Sequence, residues 1–405
     1  MTAQKDKATR TFMLIVAISG LALGLSDSVF SNYFRDAYDI EALHRGFIEF
    51  PRELPGVVSV FIVSGLAFLG NIKLAIIAHI FLIIGIFVLG LASPSLTVML
   101  IFLFINSLGM HMFMPIYDSM GMSLAKKGDF GTVMGRFNGL RTGFTMIAAI
   151  LVFVGFREGF FSFTTPVVTI FVISGLLFTV ILFLLIYIRR HMEDTKAAKT
   201  RFVYNRAYMK FYLLAFLFGA RKQVMYVFGP WVLIELLNFD AGDMALLIIA
   251  GAGIGVFFLP LVGRWIDRFG TAKIMIIEAA IFLVIYLGYG VISAGLHGGW
   301  LVGVGAIFVL AVVINIADRM TIQFGMVRSV YMRSIAVTPE DVTPTLATGM
   351  ALDHIVSIAS AVFCGFLWHS IGPQYVFVFA GVLAAANMLV AMRIRKDGTN
   401  KCTKK

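Results

Sequence analysis

The chain has 405 residues, of which 60% are hydrophobic and only 14% charged, with a mean hydropathy of +0.92. That balance excludes an ordinary soluble globular protein, and the lack of residue-by-residue alternation excludes a transmembrane β-barrel. The formal net charge of +11 is confined to a few segments and has no aromatic-interleaved basic module beside it, so nucleic-acid binding is excluded as well.

In chain order, twelve apolar stretches of bilayer-spanning length are predicted: 12–34, 46–68, 72–91, 96–124, 131–157 and 165–188, then 210–237, 241–262, 272–294, 299–327, 345–371 and 373–393. The first is too long for a cleaved signal segment and reads as a span. The longest polar interruption, Arg189–Lys210, separates six spans from six. The expected fold is therefore an all-α membrane protein of twelve transmembrane helices in two six-helix bundles, 1–189 and 210–405, joined by a linker at 190–209. A second interruption, Val337–Thr345, carries two prolines that end span ten and prepare span eleven.

Most of the 33 Lys and Arg fall in loops that alternate to one side, namely both termini, Lys73, Lys126, Lys127, the central linker, Arg264–Lys273 and Arg328 with Arg333. This positive-inside pattern places both termini in the cytoplasm, in a cytoplasmic (inner) membrane. Cys364 and Cys402 form no disulfide framework and no metal-ligand spacing, and no phosphate loop or nucleophile constellation is present. No cofactor, metal or enzymatic activity is expected.

Weak internal similarity relates the two halves. Gly24–Phe30 aligns with Gly219–Met225, which matches Asp27 to Lys222, and Gly65–Leu69 aligns with Gly263–Asp267. Two pseudo-symmetric bundles related by an axis along the membrane normal follow from that alignment.

The loop between spans eight and nine reads Gly263-Arg-Trp-Ile-Asp267-Arg268-Phe-Gly270. It resembles the G-x-x-x-D-R-x-G signature of the major facilitator superfamily, and with twelve spans and a basic central loop the resemblance extends over the whole chain. It implies a secondary transporter that rocks two bundles about a central site, with spans one, four, seven and ten lining the cavity and three, six, nine and twelve facing lipid. It assigns gating to Gly263, Asp267, Arg268 and Gly270. The loop between spans two and three departs from the pattern, with Leu69 where the acid belongs and no Arg. Cytoplasmic gating in the first half is therefore expected to differ.

Charges inside spans need a partner or water, because each costs on the order of 3 kcal/mol at the bilayer centre. Asp27, Glu49, Arg52, Glu53, Asp118, Arg136, Arg141, Arg221, Lys222, Glu278, Asp318, Arg319 and Asp353 lie there, and only Glu278 falls on the third helix of a triplet. Asp27 and Lys222 are expected to face each other across the cavity and to pair in at least one state. The candidate substrate-binding set is Asp27, Arg52, Arg141, Arg221, Lys222 and Tyr226. Its guanidinium groups suit a carboxylate or phosphate, although they also serve to neutralise Glu49, Glu53 and Asp353. Asp353 with His354, and Asp118 with His111 two turns away on one face, are the candidate proton-coupling groups, since burial favours neutral carboxylates and His titrates near neutrality. Small residues at helical spacing, such as Gly20 and Gly24, mark either the cavity or close helix packing.

The expected function is alternating-access transport of a small polar or anionic organic solute, coupled to protons. An exporter of amphiphilic drugs is the alternative, with 39 Phe and 21 Met to build an adaptable pocket. A membrane sensor on the same bundle is a third reading. The expected partners are a small-molecule substrate and the lipid bilayer, and the chain is expected to act as a monomer.

Overall fold

The computed structural model describes residues 2–38, 42–91, 95–163, 167–195, 205–237, 239 and 241–402. Among them there is no strand. The α-helices are α1 (Thr2–Asp27), α2 (Phe30–Tyr38), α3 (Ala42–Gly65), α4 (Asn71–Leu91), α5 (Leu96–Leu124), α6 (Phe130–Arg157), α7 (Thr169–Ile188), α8 (Met209–Trp231), α9 (Ala241–Phe269), α10 (Thr271–His297), α11 (Ala306–Ile322), α12 (Met326–Ile335), α13 (Val342–Ser370) and α14 (Pro373–Cys402).

Eleven segments among the described residues are long and apolar enough to cross a membrane. The remaining expected span, 46–68, corresponds to α3. It is a 24-residue helix with Pro51 and Pro55 inside it, whose first half carries Arg45, Glu49, Arg52 and Glu53. The protein is thus a multi-pass helical membrane protein, as its composition requires.

Three expected spans are interrupted, α9 runs on to Phe269 beyond the expected end of span eight, and α11 begins only at Ala306. The first span breaks after Asp27 and resumes as α2. The tenth runs from Ala306 to Ile335, interrupted by a single 3-10 turn at Gln323–Gly325, so Arg328 lies within it and not in a loop. Arg328 is accommodated there because Glu278 pairs with it inside the unit, a contact that no local sequence pattern shows. The third break is at α8, which continues past Pro230 as a π turn at Val232–Leu236. The interruption at 337–345 behaves as expected, with a 3-10 turn at Pro339–Asp341 leading into α13.

The chain divides into two compact units. The first comprises Met1–Lys127, Arg136–Tyr204 and Ala336–Ala351, and the second comprises Gly128–Gly135, Asn205–Ile335 and Leu352–Lys405. The division follows the two halves of the sequence except for two short exchanges. The start of α6 belongs to the second unit and the start of α13 to the first.

In the first unit, α4 packs on α5 and α7, α1 on α7, and α3 on α5. Small residues allow these approaches: a Cβ on Gly85 would meet Asn106, and one on Gly109 would meet the Ala78 carbonyl. Interhelical hydrogen bonds run from Asn106 Nδ2 to the Leu82 carbonyl (3.1 Å) and from Ser174 Oγ to the Ala22 carbonyl (2.8 Å). A Cβ on Gly20 would meet the Arg141 carbonyl and one on Gly24 would meet Thr145 and Ala148, so these two glycines serve packing of α1 on α6.

In the second unit, α10 packs on α14, α11 and α12, and α8 on α14 and α12. Its core gathers Val224, Phe228, Phe282, Tyr286, Tyr289 and Phe377. Large apolar side chains such as Phe153, Phe257 and Val284 are exposed, which suits a protein surrounded by lipid.

Candidate functional site

The sharpest polar feature of the second unit is an ion pair. Lys222 Nζ on α8 donates to Asp353 Oδ2 on α13 at 2.9 Å, and the two side chains are 27% and 18% exposed. Gly219, one turn before Lys222, makes the approach: any Cβ there would collide with Asp353. Ser357, one turn after Asp353, shares its hydroxyl proton between the Gly219 carbonyl (3.1 Å) and Asp353 Oδ1 (3.2 Å). The carboxylate is thus held on one oxygen by an ammonium and on the other by a hydroxyl.

Asp27 and Lys222, expected to pair in at least one state, belong to different compact units, and each has a partner within its own. The structure gives Lys222 to Asp353, while Asp27, exposed in the first unit, has Arg52 as the cation acting on it. Within the second unit Gly219 provides the closeness of α8 to α13 that brings Lys222 to Asp353.

A second charge cluster is buried in the same unit. Arg221 Nη2 donates to Glu278 Oε1 at 2.9 Å, and Arg328 Nη1 donates to the same carboxylate at 3.1 and 3.2 Å. Arg221 and Glu278 are completely buried. Both guanidinium groups also lie over aromatic faces, Arg221 over Phe282 (3.7 Å) and Arg328 over Phe218 (3.4 Å). Arg221, expected among the substrate-binding cations, is therefore engaged inside the unit. Glu278, the one in-span charge on a third helix, points inward because two cations await it. Asp318 on α11 is buried close enough to Arg221 for their charges to interact, and Arg319 donates to Asn315 Oδ1 at 3.1 Å. Tyr226 is 73% exposed.

In the first unit, Arg141 on α6 lies over the ring of Tyr117 (5.1 Å), whose hydroxyl donates to Asn138 Oδ1 at 3.1 Å. Arg52 lies over Phe30 (5.8 Å), and its carbonyl accepts from Ser107. His111 is buried, with Nδ1 donating to the Ser107 carbonyl at 2.8 Å, and Asp118 is half-buried on the same helix. His354 follows Asp353 and is half-buried. The side chains of Glu49 and Ser31 lie outside the described residues, as does linker segment 196–204.

The signature segment, expected as a loop, forms the last two turns of α9, and its Asp267 caps α6. Asp267 accepts hydrogen bonds from the Gly131 N–H (2.7 Å) and the Thr132 N–H, the first free amides of α6. Gly263 and Gly135 permit the approach, since a Cβ on Gly263 would strike the Gly131 carbonyl. Gly270 has φ +82°, the left-handed conformation that ends α9, and Arg268 is exposed beside Phe269.

At the other copy of the loop, where Leu69 replaces the acid, two residues that the sequence did not single out are engaged. Asn71 donates to Ser119 Oγ (3.0 Å) and accepts from Thr343 Oγ1 in the first turn of α13 (2.9 Å). Asp194 accepts from the Ile72 N–H at 3.0 Å and so caps α4. Only the missing acid hinted at them.

With this geometry in hand, comparison with known proteins is decisive at the level of family. The family model for the Major Facilitator Superfamily matches residues 12–352, and the chain belongs to that superfamily. No curated protein matches the chain by sequence. Among solved structures, it resembles the superfamily transporter FucP in its outward conformation, with TM-score 0.74, 13% identity, and coverage of 96% of this chain and 99% of that one. It also resembles the human organic anion transporter MFSD10, with TM-score 0.73, 10% identity, and coverage of 96% and 99%. The proton:xylose symporter XylE is similar too, with TM-score 0.73, 13% identity, and coverage of 97% and 96%. At these identities the likeness establishes the fold.

Proposed function

We propose that the protein is a secondary active transporter that moves a small polar or anionic organic solute across the cytoplasmic membrane by alternating access, coupled to protons. The carrying observation is the Lys222–Asp353 pair, a part-exposed ion pair on two membrane-length helices. A pair whose side chains are 27% and 18% uncovered is one that a solute or a proton can reach, and closing the site over a separated, unpaired charge costs several kcal/mol. That cost ties occupancy to conformation. Arg141 and Arg52 supply cations in the first unit, Asp27 an acid beside Arg52, and Tyr226 an exposed hydroxyl. Arg221 supports the site from behind through Glu278.

Asp353 carries the proton in this reading, with His354 beside it, and His111 with Asp118 forms a second relay on α5. Asp267 holds the start of α6 when the cytoplasmic side is closed and releases it when that side opens, with Gly263, Arg268 and Gly270 shaping the loop. Both termini face the cytoplasm. The similarity of fold to an organic anion transporter and to a proton:xylose symporter is consistent with either half of the proposal.

Uptake into proteoliposomes, with and without an imposed pH gradient, tests it. Wild-type protein accumulates solute when the outside is acidic. Asp353→Asn retains solute exchange and loses proton-driven accumulation. Accumulation that persists in Asp353→Asn removes the proton role from this residue, and absence of flux for organic anions, sugars and amphiphilic drugs alike removes the transport reading.

A further inference from the structure

Away from the helix ends, the described part of the second unit holds four cations, Arg221, Lys222, Arg319 and Arg328. Three of them are engaged: Lys222 pairs with Asp353, and Arg221 and Arg328 share Glu278. Arg319 on α11 is half-buried, and only its Nε is taken, donating to Asn315 Oδ1 at 3.1 Å. Among the described residues no acceptor meets its two Nη groups. The adjoining acid, Asp318, is 4% exposed and feels the buried Arg221 charge more strongly than that of Arg319. Successive side chains on a helix point about 100° apart, so the two face different ways.

Arg319 sits deep in the membrane. Ile314 lies against Gly288, and Arg319 follows about a turn and a half later, which on an antiparallel neighbour is near the middle of α10 (Thr271–His297). A guanidinium half open at that depth costs on the order of 3 kcal/mol against acyl chains, so its open side faces water. Two contacts aim it. Asn315, one turn earlier, is 2% exposed, and its amide also bonds the Tyr289 hydroxyl. The Arg319 stem runs along Gly251 of α9, where a Cβ would come within 3.0 Å of its Cδ.

With Nε occupied, the side chain offers its terminal Nη pair, an end-on fork that matches the two oxygens of one carboxylate. The charge count agrees. Among the described residues of these helix interiors, four cations stand against three acids, Glu278, Asp318 and Asp353, which leaves one positive charge for a monoanion to neutralise. We propose that Arg319 contacts the solute, its Nη pair gripping the carboxylate of a monocarboxylate, with Asn315 as the positioning residue that aims it. The proposal rests on the reading of the protein as an organic-anion transporter and names the residue that anchors the anion.

Phenylglyoxal attacks accessible guanidinium groups, and peptide mass mapping of the purified full-length protein reads which arginines it has modified. Arg319 is expected to react faster than Arg221 and Arg328. At least one of acetate, butyrate and benzoate is expected to slow the reaction at Arg319 about tenfold, as a charge-assisted fork requires. Benzyl alcohol gives no protection, and inorganic phosphate gives less than the acids. Asn315→Ala leaves Arg319 reactive but needs more of the acid for the same protection. Arg319 no more reactive than the two buried arginines, no protection by any of the three acids, or protection by benzyl alcohol or phosphate equal to theirs overturns the assignment. An acid requirement unchanged in Asn315→Ala removes Asn315 from it. In proteoliposomes, Arg319→Lys keeps the charge, loses the fork and is expected to slow organic-anion flux. Wild-type flux that Arg319→Lys retains in full overturns the role of Arg319 and spares the transport reading; protection at Arg319 without flux of any organic anion does the reverse.

Discussion

Glu278 serves two guanidinium groups at once from a fully buried position. Removing its charge leaves Arg221 and Arg328 as uncompensated cations in the interior, a loss of about 3–5 kcal/mol by analogy with broken buried pairs. Glu278→Gln should therefore lower the unfolding temperature in detergent far more than Lys222→Gln, whose partner is part-exposed and can be hydrated. Comparable shifts for the two variants would show that the cluster contributes no special stability. At this scale the sequence was legible in which residues are charged and that their charges need company, because hydropathy isolates them. It was silent on who pairs with whom. Lys222 and Asp353 are 131 positions apart, and nothing local distinguishes Asp353 from Asp27 as a partner. Arg328, with Arg333 five residues on, has the pattern of a basic flank at the end of a span. Arg319 did not stand out among the in-span cations, since an open guanidinium fork is a property of surroundings and not of spacing.

Helices α6 and α13 each begin in one compact unit and continue into the other. The start of α6 is held by Asp267 through two backbone N–H groups, and the start of α13 is held by Asn71 through the Thr343 hydroxyl. A carboxylate at a helix N-terminus gains from both hydrogen bonds and the helix dipole, about 1–2 kcal/mol together. A neutral amide on one hydroxyl gains less, so the two holds are unequal. Asp267→Asn should make a cysteine placed at Thr132 react faster with a membrane-impermeant thiol reagent added from the cytoplasmic side. A comparable cysteine at Thr343 should respond less to Asn71→Ala. An unchanged rate at Thr132 in Asp267→Asn would remove Asp267 from gating. The Asp267 motif was readable because its spacing is specific. Its counterpart was not, because Asn71 and Thr343 match no motif, and only the acid missing at Leu69 marked the place.

For the whole molecule, composition and periodicity decide the class: eleven described helices suit a membrane, and the family model covers most of the chain. What a fold of this kind transports is set by a few side chains, and here the proposed cycle turns on the Lys222–Asp353 pair opening and closing. The most direct test is proton-driven accumulation of an organic anion in proteoliposomes by the double variant Lys222→Gln with Asp353→Asn. The two amides fill the same space with no charge and leave no ion unpaired. If the pair couples occupancy to conformation, the double variant folds, exchanges solute and fails to accumulate it. Accumulation restored to the wild-type level would mean the pair is only structural, and would contradict the account.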